Sequence, residues 1–191
     1  MLRPCSGERA DAIAGTLLAR FGSIAATLHA GAAAISDTLP DEPAVAEQLG
    51  LVCATLQQAL RGQVESRPLL SEERALVDYL TFSMAHARQE QLRVLFLDAR
   101  NRLLRDEVMA EGCIRAAAVH PREIVRRAME LGATAMILVH NHPSGDPTPS
   151  ASDVEATRRV AAAAALMDIR LHDHLVIARS GWVSLKRMGY C

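Results

Sequence analysis

The chain has 191 residues, of which 50% are hydrophobic and only 3% aromatic. Its formal net charge is −1, so no overall positive field points to nucleic acid as a partner. Apolar stretches stay shorter than the roughly 20 residues of a membrane span, and the first residues do not resemble a signal peptide. The four cysteines form no CxxC pair, which is typical of reduced thiols. These features favour a cytoplasmic protein with one ordinary domain, alone or beside a small helical module.

Residues 1–66 are predicted to be all-helical. The stretch "ADAIAGTLLARFGSIAATLHA" has apolar residues at helical spacing with a break near Gly22 and Ser23. After a loop, "SDTLPDEP", the stretch "AVAEQLGLVCATLQQALRG" repeats the helical pattern as far as Gly62. This segment holds four arginines, no lysine and seven acidic residues, a net charge of −3. The next stretch, "GQVESRPLL", is predicted to be a linker.

The remainder of the chain alternates strand and helix patterns. Ser71 is a candidate N-cap for a helix that ends near Arg88, and the strands "LRVLFLD", "RLLRDEVMAEG" and "CIRAAAV" follow. A helix from Pro121 to Gly132 precedes the strand "TAMILVH", the helix "ASDVEATRRVAAAAALMDI" and a closing hairpin, "IRLHDHLVIA" with "WVSLK". The order α–β–β–β–α–β–α–β–β predicts an α/β fold with helices around a mixed sheet.

The densest group of polar residues, "HNHPSGDPTPSASD", begins where a strand is predicted to end. His140 and His142 are two residues apart, so in an extended chain both imidazoles point to one side while Asn141 points away. A stiff turn leads to Ser150, and Asp153 follows in the first turn of a helix. Two imidazoles and one carboxylate, with a fourth position for water, are the ligand set of a catalytic zinc ion.

A purely structural interpretation accounts for the same residues. Ser150 can serve only as an N-cap with Asp153 as a partner of the helix dipole, and Ser152 with Glu155 makes an equally good capping box. Residue types and spacing alone leave the metal site and the helix cap both open. The letters "HNH" also suggest a nuclease, but that fold needs its histidines on separate elements and leaves the Ser-x-x-Asp spacing unexplained.

The full pattern resembles the signature of the JAMM (MPN-plus) metalloproteases. That signature is His-x-His-Pro, six residues, Ser, two residues and Asp, and its positions here are His140, His142, Pro143, Ser150 and Asp153. The sequence around it, from "PREIVRRAMELGATAMILVHNHPSGDPTPSASDVEATRR" to "DIRLHDHLVIA", resembles the bacterial RadC family over about residues 70–190. The resemblance implies a JAB/MPN, cytidine-deaminase-like mixed sheet flanked by helices over residues 70–191, beside a small all-helical module over residues 1–66.

The resemblance also implies a chemistry. In that family two histidines and an aspartate hold Zn²⁺, here His140, His142 and Asp153, and the motif serine, here Ser150, stabilises the tetrahedral intermediate. A glutamate activates water; the candidates are Glu90, Glu107, Glu111 and Glu123. The family places this glutamate between the first helix and the first strand of the domain, which favours Glu90, with Glu111 next. The predicted function is a zinc metalloprotease acting on a peptide or isopeptide bond in a protein or peptide substrate.

Two further functions are alternatives: a DNA-repair-associated accessory protein and a metal-binding scaffold without turnover. RadC-like proteins usually carry an N-terminal helix-hairpin-helix module, and "LLARFGSIAATLHA" resembles its first part. The glycine-rich hairpin is replaced by "PDEPAVAEQLG", which with the acidic charge predicts weak DNA binding at most and a packing or protein-contact role. The intact ligand set argues against the scaffold. A second same-face pair, His172 and His174, is predicted to support the site rather than to bind another metal ion.

Overall fold

A computed structural model describes residues 7–66, 68–69, 73–112 and 120–190. The chain divides into two compact units, Met1–Leu60 and Arg61–Cys191. The predicted N-cap at Ser71 and the predicted strand at residues 113–119 lie outside the described residues. The predicted domain limits, 1–66 and 70–191, remain predictions.

Helices form the described part of the first unit. A 3-10 turn at Gly7–Arg9 leads into α1 (Ala10–Phe21), α2 (Ile24–His29), α3 (Ala32–Thr38) and α4 (Pro43–Glu65), whose last turn already belongs to the second unit. Ser23 accepts a hydrogen bond from the backbone N–H of Ala26, so it caps α2 and confirms the predicted break between the first two helices. Helix α1 packs against α2 and α3.

Two sequence predictions in this region were wrong. Residues 36–38 were predicted as loop but belong to α3, whose Ile35 is buried and whose Thr38 hydroxyl donates to the carbonyl of Ala34. Residues 62–65 were predicted as linker but continue α4. The ion pair between Arg61 and Glu65, one helical turn apart at 2.7 Å, stabilises that last turn in spite of Gly62.

The second unit is built on a mixed sheet. Its elements are α5 (Glu73–Met84), β1 (Gln91–Leu97), β2 (Leu103–Glu111), α6 (Pro121–Glu130), β3 (Ala135–Asn141), α7 (Ala151–Ala165), β4 (Arg170–Ala178) and β5 (Gly181–Ser184). The strand order is β2-β1-β3-β4-β5, with β3 and β4 parallel and every other neighbouring pair antiparallel. The predicted α/β class is therefore confirmed. Helix α5 ends at Met84, a turn earlier than predicted.

Alternation along the strands separates the two faces of this sheet. Val94, Phe96 and Leu138 face α6 and α7, whose Ile124 and Val160 complete a closely packed core. Arg93 directly precedes Val94 on β1 and therefore points to the other face. There Asp106 on β2 accepts hydrogen bonds from Arg93 and from the Tyr79 hydroxyl of α5.

Beyond β3 the chain turns towards the start of α7, on the helix side of the sheet. The backbone N–H of His142 donates to the carbonyl of Ile177, and that of Gly145 donates to the carbonyl of His142. Gly145 has φ +93°, and a Cβ there would meet the guanidinium of Arg179 at 3.2 Å. The turn thus fixes the distance between the end of β3 and the start of α7. Within the described residues, no helix combines the length and the hydropathy that crossing a membrane requires.

Candidate metal centre

Three predicted ligand side chains converge where β3 ends and α7 begins. The Nε2 atoms of His140 and His142 lie 2.8 Å apart, because residues two apart on an extended chain share a side. Asp153, in the first turn of α7, places Oδ1 at 3.5 Å from Nε2 of His140 and Oδ2 at 3.6 Å from Nε2 of His142. His140 is buried and His142 is partly exposed, so the group is open on one side only.

Glu90 approaches the same point from the segment between α5 and β1. Ligand atoms of Glu90, His140, His142 and Asp153 all lie within 4.8 Å of one another. Glu90, His142 and Ser150 also line an open cleft of about 340 Å³. The sequence-derived candidate for the water-activating glutamate therefore lies beside the three candidate metal ligands.

The other glutamate candidates lie in different settings. Glu107 accepts hydrogen bonds from Arg127, which holds the pKa of that carboxyl below its usual range. Glu123 pairs with Arg122 and Arg126 on the exposed surface of α6. Glu111, at the end of β2, accepts a hydrogen bond from the side chain of Gln91 at 2.9 Å. None of the three belongs to the described group of four.

Ser150 and Asp153 form a capping box at the start of α7. The Ser150 backbone N–H and hydroxyl both donate to Oδ2 of Asp153 at 2.7 Å, and the Ser150 oxygen accepts from the Asp153 N–H. The capping box that forms is thus Ser150 with Asp153, not Ser152 with Glu155. The helix-cap and metal-site interpretations are compatible, because the cap occupies Oδ2 and leaves Oδ1 towards His140.

The carboxylate of Asp153 is ionised beside the two imidazoles. Burial raises its pKa, but the neighbouring rings of His140 and His142 lower it further, so the net pKa lies well below its usual range. The nearby Asp153 carboxylate in turn raises the pKa of His142. Nδ1 of His142 faces the backbone carbonyl of Asp146 at 2.9 Å. Since a carbonyl only accepts, that nitrogen carries a proton, and Nε2 of the neutral ring presents a lone pair.

Asn141, expected from the sequence only to face away, has a definite place behind Glu90. Its Oδ1 accepts from the backbone N–H of Gln91 at 2.8 Å, and its Nδ2 donates to the carbonyl of Gln89 at 3.1 Å. The Glu90 carbonyl accepts from the N–H of Gly112. Asn141 is fully buried, so the backbone on both sides of Glu90 is held by one amide.

The two histidines of β4 do not share a face as predicted. A β-bulge makes His172 an extra residue, because Met136 pairs with Leu171 while Ile137 pairs with Asp173. His172 bonds with the side chain of Asn101 and is not in the described metal-ligand group. His174 is buried against the site, with Nε2 at 2.8 Å from Nδ1 of His140.

His174 also contacts a residue that the sequence analysis did not single out. Its Nδ1 lies 2.5 Å from the hydroxyl oxygen of Thr157. Burial lowers the pKa of His174 well below its usual range, so the ring is neutral at physiological pH. Thr157 is four residues after Asp153, one helical turn along the same face of α7, and that spacing is the sequence signal for it.

A comparison with protein families matches residues 70–190 to the model described as RadC-like JAB domain. The matched range includes all five strands of the sheet and every residue of the candidate metal centre. It agrees with the range over which the motif and its surroundings resemble that family.

Proposed function

The chain belongs to the RadC-like JAB domain family, and we propose that this domain is a zinc-dependent hydrolase of peptide or isopeptide bonds. One observation carries the proposal. The imidazole nitrogens of His140 and His142 and the ionised carboxylate of Asp153 point at one spot, beside a further carboxylate from Glu90. Converging lone pairs and negative charge are unfavourable without a cation between them.

The donor set fits zinc. Two imidazole nitrogens and one carboxylate oxygen suit a borderline-soft ion that takes four ligands, whereas magnesium and calcium prefer sets made of oxygen alone. Three protein ligands leave a fourth position, as in catalytic zinc sites. Zinc, when bound, supplies a Lewis acid that lowers the pKa of a water molecule towards about 7 and polarises a carbonyl group.

Glu90 supplies the base in this proposal. Its carboxylate lies in the open cleft beside the three ligands, where a water molecule and a substrate carbonyl can meet. Glu90 removes a proton from the attacking water and delivers it to the amine that leaves when the C–N bond breaks. The clamp formed by Asn141 on the neighbouring backbone keeps this carboxylate at a constant distance from the ligands.

Ser150 supplies a hydrogen bond to the oxyanion that forms on the substrate carbonyl. The structure sets one condition on this role. The single hydroxyl proton of Ser150 is directed at Oδ2 of Asp153, which also receives the Ser150 backbone N–H. The hydroxyl can turn to the substrate without leaving Oδ2 unpaired, because the backbone donor stays in place.

The alternative is a domain that binds zinc without turnover. The bond from the Ser150 hydroxyl to Asp153 is the observation that favours it, because that bond serves helix capping and ligand orientation rather than catalysis. Hydrolysis by the zinc-loaded protein separates the two functions.

Metal content and hydrolysis of the purified, zinc-reconstituted protein test the proposal. We expect about one zinc ion per chain. Mass spectrometry should detect new amino termini in a mixture of denatured proteins and freed lysine ε-amines in ε-linked isopeptides. Asp153→Asn should lose zinc and hydrolysis together, since it removes a charged ligand. Glu90→Gln should retain zinc but lose hydrolysis by a factor on the order of 10²–10⁴, the usual size of a general-base contribution.

Glu111→Gln is the matched control, because it makes the same change in a glutamate whose known partner is a surface glutamine. It should match the wild-type protein in zinc content and in rate. Full activity in Glu90→Gln with a loss in Glu111→Gln would transfer the role of base to Glu111. Absence of bound zinc after reconstitution would refute the proposed function, and stoichiometric zinc without any cleavage would favour the non-catalytic alternative.

A further inference from the structure

A chain of three hydrogen bonds leads from the backbone of α7 to the ring of His140. It starts at the Asp153 carbonyl, which lies 2.6 Å from the Thr157 hydroxyl, and continues from that hydroxyl to Nδ1 of His174 at 2.5 Å. Nε2 of His174 then lies 2.8 Å from Nδ1 of His140. Register between β3 and β4 brings the rings together, since His174 pairs with Leu138, two residues before His140.

Only one direction for the protons makes all three of these hydrogen bonds. A backbone carbonyl can only accept, so the one hydroxyl proton of Thr157 goes to Asp153. The Thr157 oxygen must then accept from His174, which places a proton on Nδ1 of His174. His174 is buried, which favours the neutral ring, and its bare Nε2 then accepts from Nδ1–H of His140.

The opposite direction leaves a bond unmade. If Nε2 of His174 carried the proton, its bare Nδ1 would face the Thr157 oxygen and require a second hydroxyl proton there. Thr157 has only one, and the Asp153 carbonyl already takes it. All of these groups are buried, so an unmade bond is unfavourable here.

We propose that Thr157 and His174 are positioning residues that hold His140 in the tautomer with a bare Nε2 directed at the metal position. The inference rests on the proposed zinc site but adds residues outside its ligand set. A protonated outer nitrogen is what a metal-binding histidine requires, and groups that hold it typically contribute 10–100-fold to metal affinity. Here the acceptor is a second imidazole, whose own tautomer depends on one threonine.

Substitution at Thr157 tests this without touching a ligand. Thr157→Val has nearly the same shape but no hydroxyl, whereas Thr157→Ser keeps the hydroxyl and is the matched control. In Thr157→Val, Nδ1 of His174 loses its acceptor, so the proton can move to Nε2 and force His140 into the tautomer with a protonated Nε2. We expect the zinc dissociation constant, measured against a competing chelator, to rise 10–100-fold in Thr157→Val and to stay within about threefold in Thr157→Ser.

The tautomers can be observed directly in the metal-free, full-length protein. Two-bond ¹H–¹⁵N correlation spectra of the histidine rings should show His140 and His174 both protonated at Nδ1 in the wild type and in Thr157→Ser. Thr157→Val should lose this pattern, whereas a merely structural loss of packing would leave it in place. Because no zinc is present, this result is independent of whether the protein is a zinc hydrolase.

Two outcomes would overturn the inference, and a third would refute the proposed function alone. A wild-type His140 protonated at Nε2 in the metal-free protein contradicts the deduced direction, whatever the variants do. Unchanged zinc affinity in a folded Thr157→Val protein, with folding judged from its thermal unfolding, contradicts the positioning role. A wild type that shows the expected tautomers but binds no zinc would refute the proposed function and leave the hydrogen-bond chain established.

Discussion

Asn141 lies between two metal-ligand candidates in the sequence, yet its side chain serves the opposite side of β3. Both of its polar atoms bond with the backbone next to Glu90, so in the proposed mechanism it acts through the position of that carboxylate. His140 and His142 need no help from it, since their rings lie on the other side of the strand. Within the motif "HNH", the two histidine side chains therefore point to one side of β3 and the asparagine side chain points to the other.

We predict that Asn141→Leu separates metal binding from catalysis. The substitution leaves the Gln91 N–H and the Gln89 carbonyl without their partner, which should lower the free energy of unfolding by about 2–4 kcal/mol. Zinc content should stay near one per chain, while hydrolysis should fall towards the level of Glu90→Gln. Urea denaturation, metal analysis and the cleavage assay check the three parts.

Asn141→Asp is the control for that prediction, because it keeps an acceptor for Gln91 but replaces the donor to Gln89 by a second carboxylate oxygen. Its rate should lie between those of the wild type and Asn141→Leu, whereas the buried charge should lower its stability further. A zinc content that falls in parallel with the rate would show that Asn141 acts on the ligands and not on Glu90.

At the level of elements, the start of α7 also holds a candidate metal ligand, Asp153. Ser150 contributes to both, since it caps the helix and holds Oδ2 of Asp153. We predict that Ser150→Ala lowers the free energy of unfolding by about 1 kcal/mol through loss of the cap. Zinc should be retained through the remaining backbone bond to Oδ2, and hydrolysis should fall by up to about 10²–10³ as for loss of one oxyanion donor.

Ser150→Thr preserves the hydroxyl and should recover most of the stability and the rate. Thermal unfolding measures the cap, and the cleavage assay measures the oxyanion contribution. A Ser150→Ala variant with reduced stability but full activity would leave Ser150 as a helix cap alone.

Helix α5 is tied to the sheet by a buried polar contact whose strength depends on pH. Burial raises the pKa of Tyr79 to about 12, and the charge of Asp106 together with its hydrogen bond adds to that effect. An unfolded tyrosine titrates near 10. A pKa that is raised in the folded state stabilises the fold fully below pH 10 and loses this contribution as the pH rises towards 12.

We therefore predict that the free energy of unfolding falls between about pH 10 and 12 by roughly 2 kcal/mol more in the wild type than in Tyr79→Phe. Urea denaturation across that range measures the difference. Absorbance at 295 nm should show a late tyrosine titration that Tyr79→Phe removes. Identical pH profiles for the two proteins would mean that Tyr79 does not control this dependence.

Over the whole molecule, the periodicity of apolar residues predicted those features of the fold that depend on which side of a strand or helix a residue faces. The order of the described strands along the chain, the helices of the second unit and the common side of His140 and His142 follow from periods of two and of 3.6 residues. The contacts of Glu90 with the ligands could not be predicted in this way, because they join residues 50 or more positions apart through strand pairing. The predicted His172–His174 pair failed for a local reason, since one bulged residue reverses the alternation of β4.

The N-terminal helices also show where prediction from local sequence signals succeeds and where it fails. The break at Ser23 was predicted because glycine and a capping serine are local signals. Helix α3 was missed because seven residues hold too few apolar positions to reveal a period. The end of α4 was misplaced because an ion pair across its last turn outweighs the low helix propensity of Gly62.

The expected affinity for DNA depends on the turn between α3 and α4. A hairpin that binds phosphate offers free backbone N–H groups at a helix start. Here the N–H of Glu42 donates to the carbonyl of Leu39, and Pro43, the first residue of α4, has no N–H. Glu42 is paired with Arg9 at 2.8 Å, and Asp41 adds another negative charge.

We predict that the full-length protein binds duplex DNA no more tightly than a dissociation constant of about 10⁻⁴ M at physiological salt, the weak end of non-specific binding. Fluorescence anisotropy with a labelled duplex measures this, and affinity should rise only modestly at low salt, because few phosphates are neutralised. Asp41→Lys adds positive charge at this turn, with Asp37→Lys as a control at another acidic position of the same unit. If acidic charge alone prevents phosphate binding, the two variants should lower the dissociation constant for the duplex slightly and by the same factor. The prediction would be wrong if the wild type bound the duplex with a micromolar dissociation constant at physiological salt and in the presence of competitor DNA. That result would show that a DNA-contact surface persists in this chain.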